Sequence, residues 1–522
     1  MSISRLRLRW GLVGLLAAAV GVAVFATQPR PLYADASGFI VIGRGFLSGQ
    51  APYLGLFDDK PPGVYLVGTL AWLLDPGDIT VSMQALSVVA IAIAATACGW
   101  LVSAVYERFW VGVATAIVVA GGLSLPALDA GGGGSELFGV AGLAVCVAAI
   151  GAMILRRRSL IWPVAAGAGL AWAIGSSLLT LGAVPAVALL WLSIPVDDEP
   201  LRLSRFNWRT WVRRRLADRR LAAAICGTGA VSLVLWLPVI ATGSMSAAFD
   251  AFLRYNGLYR ATGVLKLRDW MNGVGSFWPL WLPTLAVCLV PTARRQLLGL
   301  TLVRSNLARA MVLWLVVGVA LLMFGRRFYP HYLLLLVPPL AVLFGVTLCS
   351  LWLDRPTIIR RVVGLTLCLV VVVGLAWQSP PAASNDSRLA ANAQLADYIR
   401  ANSAPADTIY VWGYDPDLYL RADRDPAGPY FVIVPLIMPG YDGQAVATML
   451  GAWQAHPPRL VVTGRSDAPD LVRLDPLIVP QDKTNPGEPS DYAALDPLRA
   501  FVQAHYDPVA TLQAGQVWRY RG

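Results

Sequence analysis

The stretch FDDKPPGVYL, residues 57–66, sets Asp58, Asp59 and Lys60 directly before two prolines. Carboxylates serve as general bases or as ligands for a divalent metal, and a lysine holds a phosphate as a compact charge. Pro61 and Pro62 remove backbone donors and restrict the residue before them to an extended shape, which fixes the direction in which Lys60 projects. Charge gathers again at Asp35 in YADASGF and at Asp129 and Glu136 in PALDAGGGGSELF. It returns at Arg254, Arg260, Lys266 and Arg268, and at Arg326, Arg327 and His331 in GRRFYPHYLLLLVPPL. Acids beside cations suit a substrate with an anionic head and a lipid tail, because arginine and lysine hold phosphate while a carboxylate takes a proton.

Plainer roles exist for most of these residues. Asp58 and Asp59 can simply solvate a loop, and Arg326 and Arg327 can anchor an interface by snorkelling. His331 can be structural at a helix start, and Glu136, after Ser135, can favour the positive end of a helix. Asp35 resists such a role, since it closely follows an apolar window and lies among small and apolar residues.

The elements that must position these groups are written in the charge distribution. The chain has 522 residues, of which 57% are hydrophobic and 14% charged, against about 25% charged in an ordinary soluble domain. Windows 11–29, 81–105, 109–128, 137–155, 160–196, 221–249, 270–293, 310–325, 332–353 and 362–385 contain no Asp, Glu, Lys or Arg. Such lengths cross a bilayer as helices, the form in which a single segment satisfies its own backbone there. The formal net charge of +11 would fit a nucleic-acid partner, but its location excludes one. Arg5, Arg7 and Arg9, then 156–158, then eight arginines between Arg202 and Arg220, all lie between apolar windows. That is the positive-inside pattern of membrane topology.

With the N-terminus in the cytoplasm, the segment Pro62–Leu74 cannot cross without placing the arginine clusters outside. Its length also suits an interfacial or re-entrant helix rather than a span. Window 160–196 is long enough for two short helices turning at GSSLLTLG. The expectation is a polytopic helical membrane protein with about eleven spans, residues 1–384, whose first extracytoplasmic loop is 28–80. The other outward segments are 127–136, 244–270, 326–332 and everything after about 378.

Residues 385–522 differ in kind. DTIYVWG (407–413), YFVIV (430–434), RLVVTG (459–464) and VWRYR (517–521) are expected strands, interleaved with helical patterns at 388–402 and 443–456. This alternation predicts an extracytoplasmic α/β domain. The six cysteines lie in or beside apolar windows without metal-type spacing, and read as small buried hydrophobes. The charge-free windows also argue against a transporter, which places ionisable residues or broken helices within its spans.

The order of these pieces resembles the GT-C membrane glycosyltransferases, closest to the family 39-like group that includes protein O-mannosyltransferases and lipid A aminoarabinose transferases. The resemblance is carried by LYADASGFIVIGRGFLSGQAPY, with its G-x-x-PY element ending at Tyr53, then FDDKPPGVYL, SELF and RRFYPHYLLLLVPPLA. The tail segment IYVWGYDPDLYLRADRDPAGPY is similar to tails of bacterial members.

The resemblance implies a multi-pass protein of the bacterial cytoplasmic membrane and an inverting transfer of a sugar from a polyprenyl-phosphate carrier. The acceptor, on the outer face, would be a lipid, glycan or protein. It makes Asp35 the catalytic carboxylate and Lys60 the carrier-phosphate ligand. Tyr53, Asp59, Glu136, Arg326, Arg327 and His331 become substrate-binding candidates. A lipid-linked oligosaccharide polymerase or ligase is the alternative enzyme. Many relatives carry Asp-Glu at the first position, whereas Asp35 is followed by Ala36, which weakens a metal-bridging role there. Glu136 or Asp129 would then have to supply a second carboxylate. The sequence shows no P-loop, dinucleotide glycine pattern or nucleotide-sugar motif, consistent with a lipid-linked donor.

Overall fold

The computed structural model describes residues 3–27, 32, 34–74, 79–128, 132–155, 159–194, 213–214, 216–262, 271, 274–275, 278–279, 281, 302–326, 329–353, 358, 366, 370, 374, 386–464 and 493–522. The membrane part is built from helices α1 (Ile3–Thr27), α2 (Ala34–Leu47), α3 (Gly63–Leu74), α4 (Ile79–Tyr106), α5 (Phe109–Leu123), α6 (Ser135–Ile154) and α7 (Ile161–Ser176). A 3₁₀ turn (Leu178–Ala183) then leads to α8 (Val184–Leu192), followed by α9 (Arg219–Ala241) and α10 (Leu302–Phe324). A second 3₁₀ turn (Pro330–Leu336) runs into α11 (Val337–Leu353).

Among the described residues six helical stretches are long and apolar enough to cross a membrane: Arg9–Ala26, Ile79–Tyr106, Ser135–Ile154, Arg219–Ala241, Asn306–Phe324 and Pro330–Cys349. Gly63–Leu74, Phe109–Leu123, Ile161–Ser176 and Leu178–Leu192 are shorter apolar helices. The expected window at 270–293 and the one at 362–385 lie almost wholly outside the described residues, as does the boundary at 384–385. The window 160–196 does divide into two helices, turning where GSSLLTLG stands.

The segment 28–80, expected as an outward loop with one short helix at Pro62–Leu74, carries a second helix, α2. Asp35 therefore lies in the first turn of α2 and not in a loop. The reason is the run ASGFIVIG behind it, which is buried throughout and needs its backbone hydrogen bonds made internally. Helix α3 follows as the short helix that its length predicts.

The two helices cross where glycine removes the side chain from each. A Cβ on Gly43 would lie 2.3 Å from the backbone nitrogen of Thr69, and one on Gly68 would lie 2.1 Å from the carbonyl oxygen of Phe39. Thr69 Oγ1 adds a 3.2 Å hydrogen bond to the Gly43 carbonyl. Gly68→Ala should accordingly lower stability by about 1–3 kcal/mol, the usual range for overpacking a fixed contact. A reduced melting temperature of the detergent-purified protein is the measurement.

The C-terminal part forms a five-stranded sheet in the order β2-β1-β3-β5-β4. The strands are β1 (Thr408–Trp412), β2 (Asp425–Pro426), β3 (Leu460–Gly464), β4 (Tyr506–Leu512) and β5 (Gly515–Tyr520). Strands β2, β1 and β3 run parallel, whereas β5 and β4 are antiparallel. Helices α12 (Asp386–Ala401), α13 (Asp417–Ala422), α14 (Asp442–Ala455) and α15 (Asp496–His505) accompany it. Three of the four expected strands are present, but YFVIV is not a strand. It is bounded by Pro429 and Pro435, and it is diverted into contacts with the membrane part. The Pro429 carbonyl accepts from the Phe57 N–H at 2.9 Å, and the Phe431 ring lies 3.7 Å from where a Gly38 Cβ would stand.

Candidate active site

Several separate chain segments meet around the DDK loop. The phenols of Tyr53 and Tyr65 both donate to the carbonyl of Lys60, at 2.9 and 2.8 Å. Tyr53 has a φ of +64°, which is uncommon for a residue with a side chain. Its role is thus to hold the Lys60 backbone from one side while Tyr65, a residue not singled out by sequence, holds it from the other. Lys60 Nζ meets Asp59 Oδ1 at 3.1 Å, and the Asp59 carbonyl accepts from Asn256 Nδ2 at 3.2 Å.

The electrostatics of this loop keep its cation charged. Burial alone would lower the pKa of Lys60, but Asp59, then Tyr332, Asp35 and Asp58, outweigh it and carry the value well above the usual lysine range. Asp58 is pushed the other way for a carboxylate: burial first, then Asp59, raise it well above the usual range, with Lys60 only partly offsetting them. A carboxyl that holds its proton more tightly folded than unfolded loses stability as pH rises from the unfolded value through the folded one. Asp58→Asn should therefore raise the melting temperature by roughly 2 °C near pH 8, and the gain should vanish near pH 4. Thermal melts of both proteins across that range measure it.

Helix α2 delivers Asp35 to the same place. Gly133 passes over the start of this helix with a φ of +91°. A Cβ there would stand 2.7 Å from Ala36 Cβ and 2.8 Å from Met83 Cγ, so only glycine allows the close approach. Asp35 Oδ1 accepts a hydrogen bond from the hydroxyl of Tyr414, which comes from the turn after β1. Tyr414 was missed as a site residue although it lies in the tail segment YVWGYDPD that carried the family resemblance.

A second group adjoins the first. Glu136, in the first turn of α6, is 2% exposed. Its Oε1 accepts from Ser177 Oγ at 3.1 Å, and its Oε2 stands 4.0 Å from Nε2 of the buried His331. The His331 ring stacks on Tyr329 and packs edge-on against Tyr332, with centroids 5.6 and 4.8 Å apart. Tyr332 lies near both Lys60 and Glu136, which links the two groups. Ser177 and Tyr332 had no local signal in the sequence beyond their neighbours.

The remaining candidates part company. Arg326 is exposed at the end of α10, with a φ of +58°. Arg327, Asp129, Lys266 and Arg268 lie outside the described residues. Arg254 is engaged with the C-terminal domain, donating to Gln444 Oε1 at 2.7 Å and lying over the Tyr441 ring. Arg260 lies over the Phe324 ring. Among the described residues no group of three or more His, Cys, Asp and Glu side chains is placed to hold a metal.

The helical membrane part followed by a C-terminal sheet domain has the GT-C fold. Among solved structures the chain is similar to ArnT from Cupriavidus metallidurans. Against the apo state the TM-score is 0.59 at 16% identity, covering 97% of each chain. Against ArnT bound to undecaprenyl phosphate it is 0.56 at 13% identity, covering 99% of this chain and 98% of that one. The oligosaccharyltransferase of Archaeoglobus fulgidus, in complex with Zn and sulfate, matches with a TM-score of 0.51 at 12% identity, over 87% of this chain and 68% of that one. No protein-family model matches the sequence, and no curated protein matches it.

Proposed function

We propose that this protein is an inverting glycosyltransferase that moves a sugar from a polyprenyl-phosphate carrier to an acceptor hydroxyl on the outer face of the bacterial cytoplasmic membrane. The observation that carries the reading is the convergence of Asp35 with a lysine kept charged at the end of the helical bundle. The undecaprenyl phosphate bound to the fold neighbour ArnT supports the choice of carrier.

In this reading Asp35 takes the proton of the acceptor hydroxyl as its oxygen attacks the anomeric carbon. The bond from that carbon to the phosphate oxygen breaks on the opposite side, and polyprenyl phosphate leaves. Lys60 balances the charge that grows on the departing phosphate, where a fixed cation in a partly buried site lowers the barrier. Asp59 holds Lys60 until the donor arrives, and the two phenols on the Lys60 carbonyl keep the ammonium aimed. Glu136 and His331 line the neighbouring position, where they contact the sugar. The acceptor in this reading is a lipid, a glycan or a protein.

The test is transfer by the purified protein in nanodiscs, supplied with a panel of polyprenyl-phosphate sugars and an envelope extract as the acceptor source. A product carrying one added sugar, with the anomeric configuration inverted, supports the proposal. A product carrying an intact chain would instead identify a polymerase or ligase of lipid-linked oligosaccharides.

A further inference from the structure

The C-terminal domain reaches the candidate base directly, across 379 residues of sequence. Strand β1 ends at Trp412, and Gly413 after it, with a φ of +151° and a carbonyl that accepts from the Ile433 N–H at 3.1 Å, turns the chain toward the membrane part. Tyr414 follows at once and donates to Asp35 Oδ1. Pro416 and Phe431 lie against Gly38, about one helical turn along α2. At the far end of the same helix, Arg44 donates to the Arg424 carbonyl at 2.6 Å and pairs with Asp425 at 2.8 Å and Asp423 at 3.4 Å. The guanidinium also lies over the Trp72 ring of α3. The domain therefore grips α2 at both ends, and only one of the two grips touches the chemistry.

We infer that Tyr414 is a positioning residue for Asp35. Its hydroxyl fixes Oδ1 and so orients the carboxylate, leaving Oδ2 to meet the acceptor hydroxyl. The site is then complete only when the C-terminal domain is docked, and Arg44 is the remote half of that dock. The inference rests on the reading of Asp35 as the base. A hydrogen bond to a charged acceptor is among the stronger ones, and its loss costs alignment at the moment of proton transfer rather than donor affinity.

The experiment compares Tyr414→Phe, Arg44→Gln and the double variant in the full-length protein, with kcat and donor KM measured separately and melting temperature recorded. Tyr414→Phe should lower kcat by about 10-fold while KM for the donor stays within about twofold and the melting temperature holds. Arg44→Gln should also lower kcat, and the double variant should lose less than the product of the two, because both act through one docked state. Unchanged kcat in Tyr414→Phe overturns the inference. So does a raised kcat, which would make Tyr414 a plug that competes with the acceptor. Asp35→Asn is run beside them: if it retains full activity, the assignment of the base fails, whereas an inactive Asp35→Asn with a fully active Tyr414→Phe defeats only the positioning role.

Discussion

Replacing Asp35 by Asn should reduce kcat by about 10³-fold while leaving donor binding within a few-fold of wild type. The substitution keeps the size of the side chain and its ability to accept from Tyr414, so α2 and the docked domain stay in place. It removes the capacity to take a proton. General-base catalysis by a positioned group is worth roughly 10²–10⁴-fold, and the hydrogen-bond partner of Asp35 is the neutral hydroxyl of Tyr414. Asp59 is held by Lys60, and Asp58 keeps its proton more tightly than an ordinary carboxyl. Single-turnover transfer, with carrier binding measured separately by native mass spectrometry, separates loss of chemistry from loss of substrate. Wild-type kcat in this variant would remove Asp35 from the mechanism.

Lys60→Ala has the second large effect, and it falls on a different quantity. Removing the ammonium strips the phosphate of its cation, and it also leaves Asp59 without its ion-pair partner and facing the incoming anion. Donor KM should rise and kcat/KM should fall by about 10²–10³-fold, the range seen when one fixed charge-stabilising group is lost. Lys60→Arg should not restore it. The planar guanidinium is larger than the ammonium, while the Lys60 carbonyl is fixed by two tyrosines and Pro61 follows immediately. Polyprenyl-phosphate binding to Lys60→Ala is the check, and affinity equal to wild type would exclude Lys60 from the carrier site.

Tyr53 shows how a substrate-binding candidate can also be committed to a contact within the fold. It was expected to touch substrate, yet its hydroxyl is spent on the Lys60 carbonyl and its backbone adopts a positive φ to bring it there. Burial first, and then Asp58, raise its pKa well above the usual tyrosine value, so it remains a donor.

The membrane class, the short helix after the DDK loop, the division of window 160–196 and the α/β character of the tail were all legible in the sequence. Each depends on length, charge or periodicity within a few tens of residues, and those are properties a linear chain displays. The expectation that Asp35 and Lys60 serve one site rests on the order of motifs alone. What the tertiary structure alone decided is which surfaces close on one another. It turned YFVIV from a strand into a docking segment and joined Glu136 to Ser177 and His331. It also brought Tyr414 onto Asp35. Such contacts depend on complementary shape and charge between segments hundreds of residues apart, and no local pattern encodes which partner a buried carboxylate will meet.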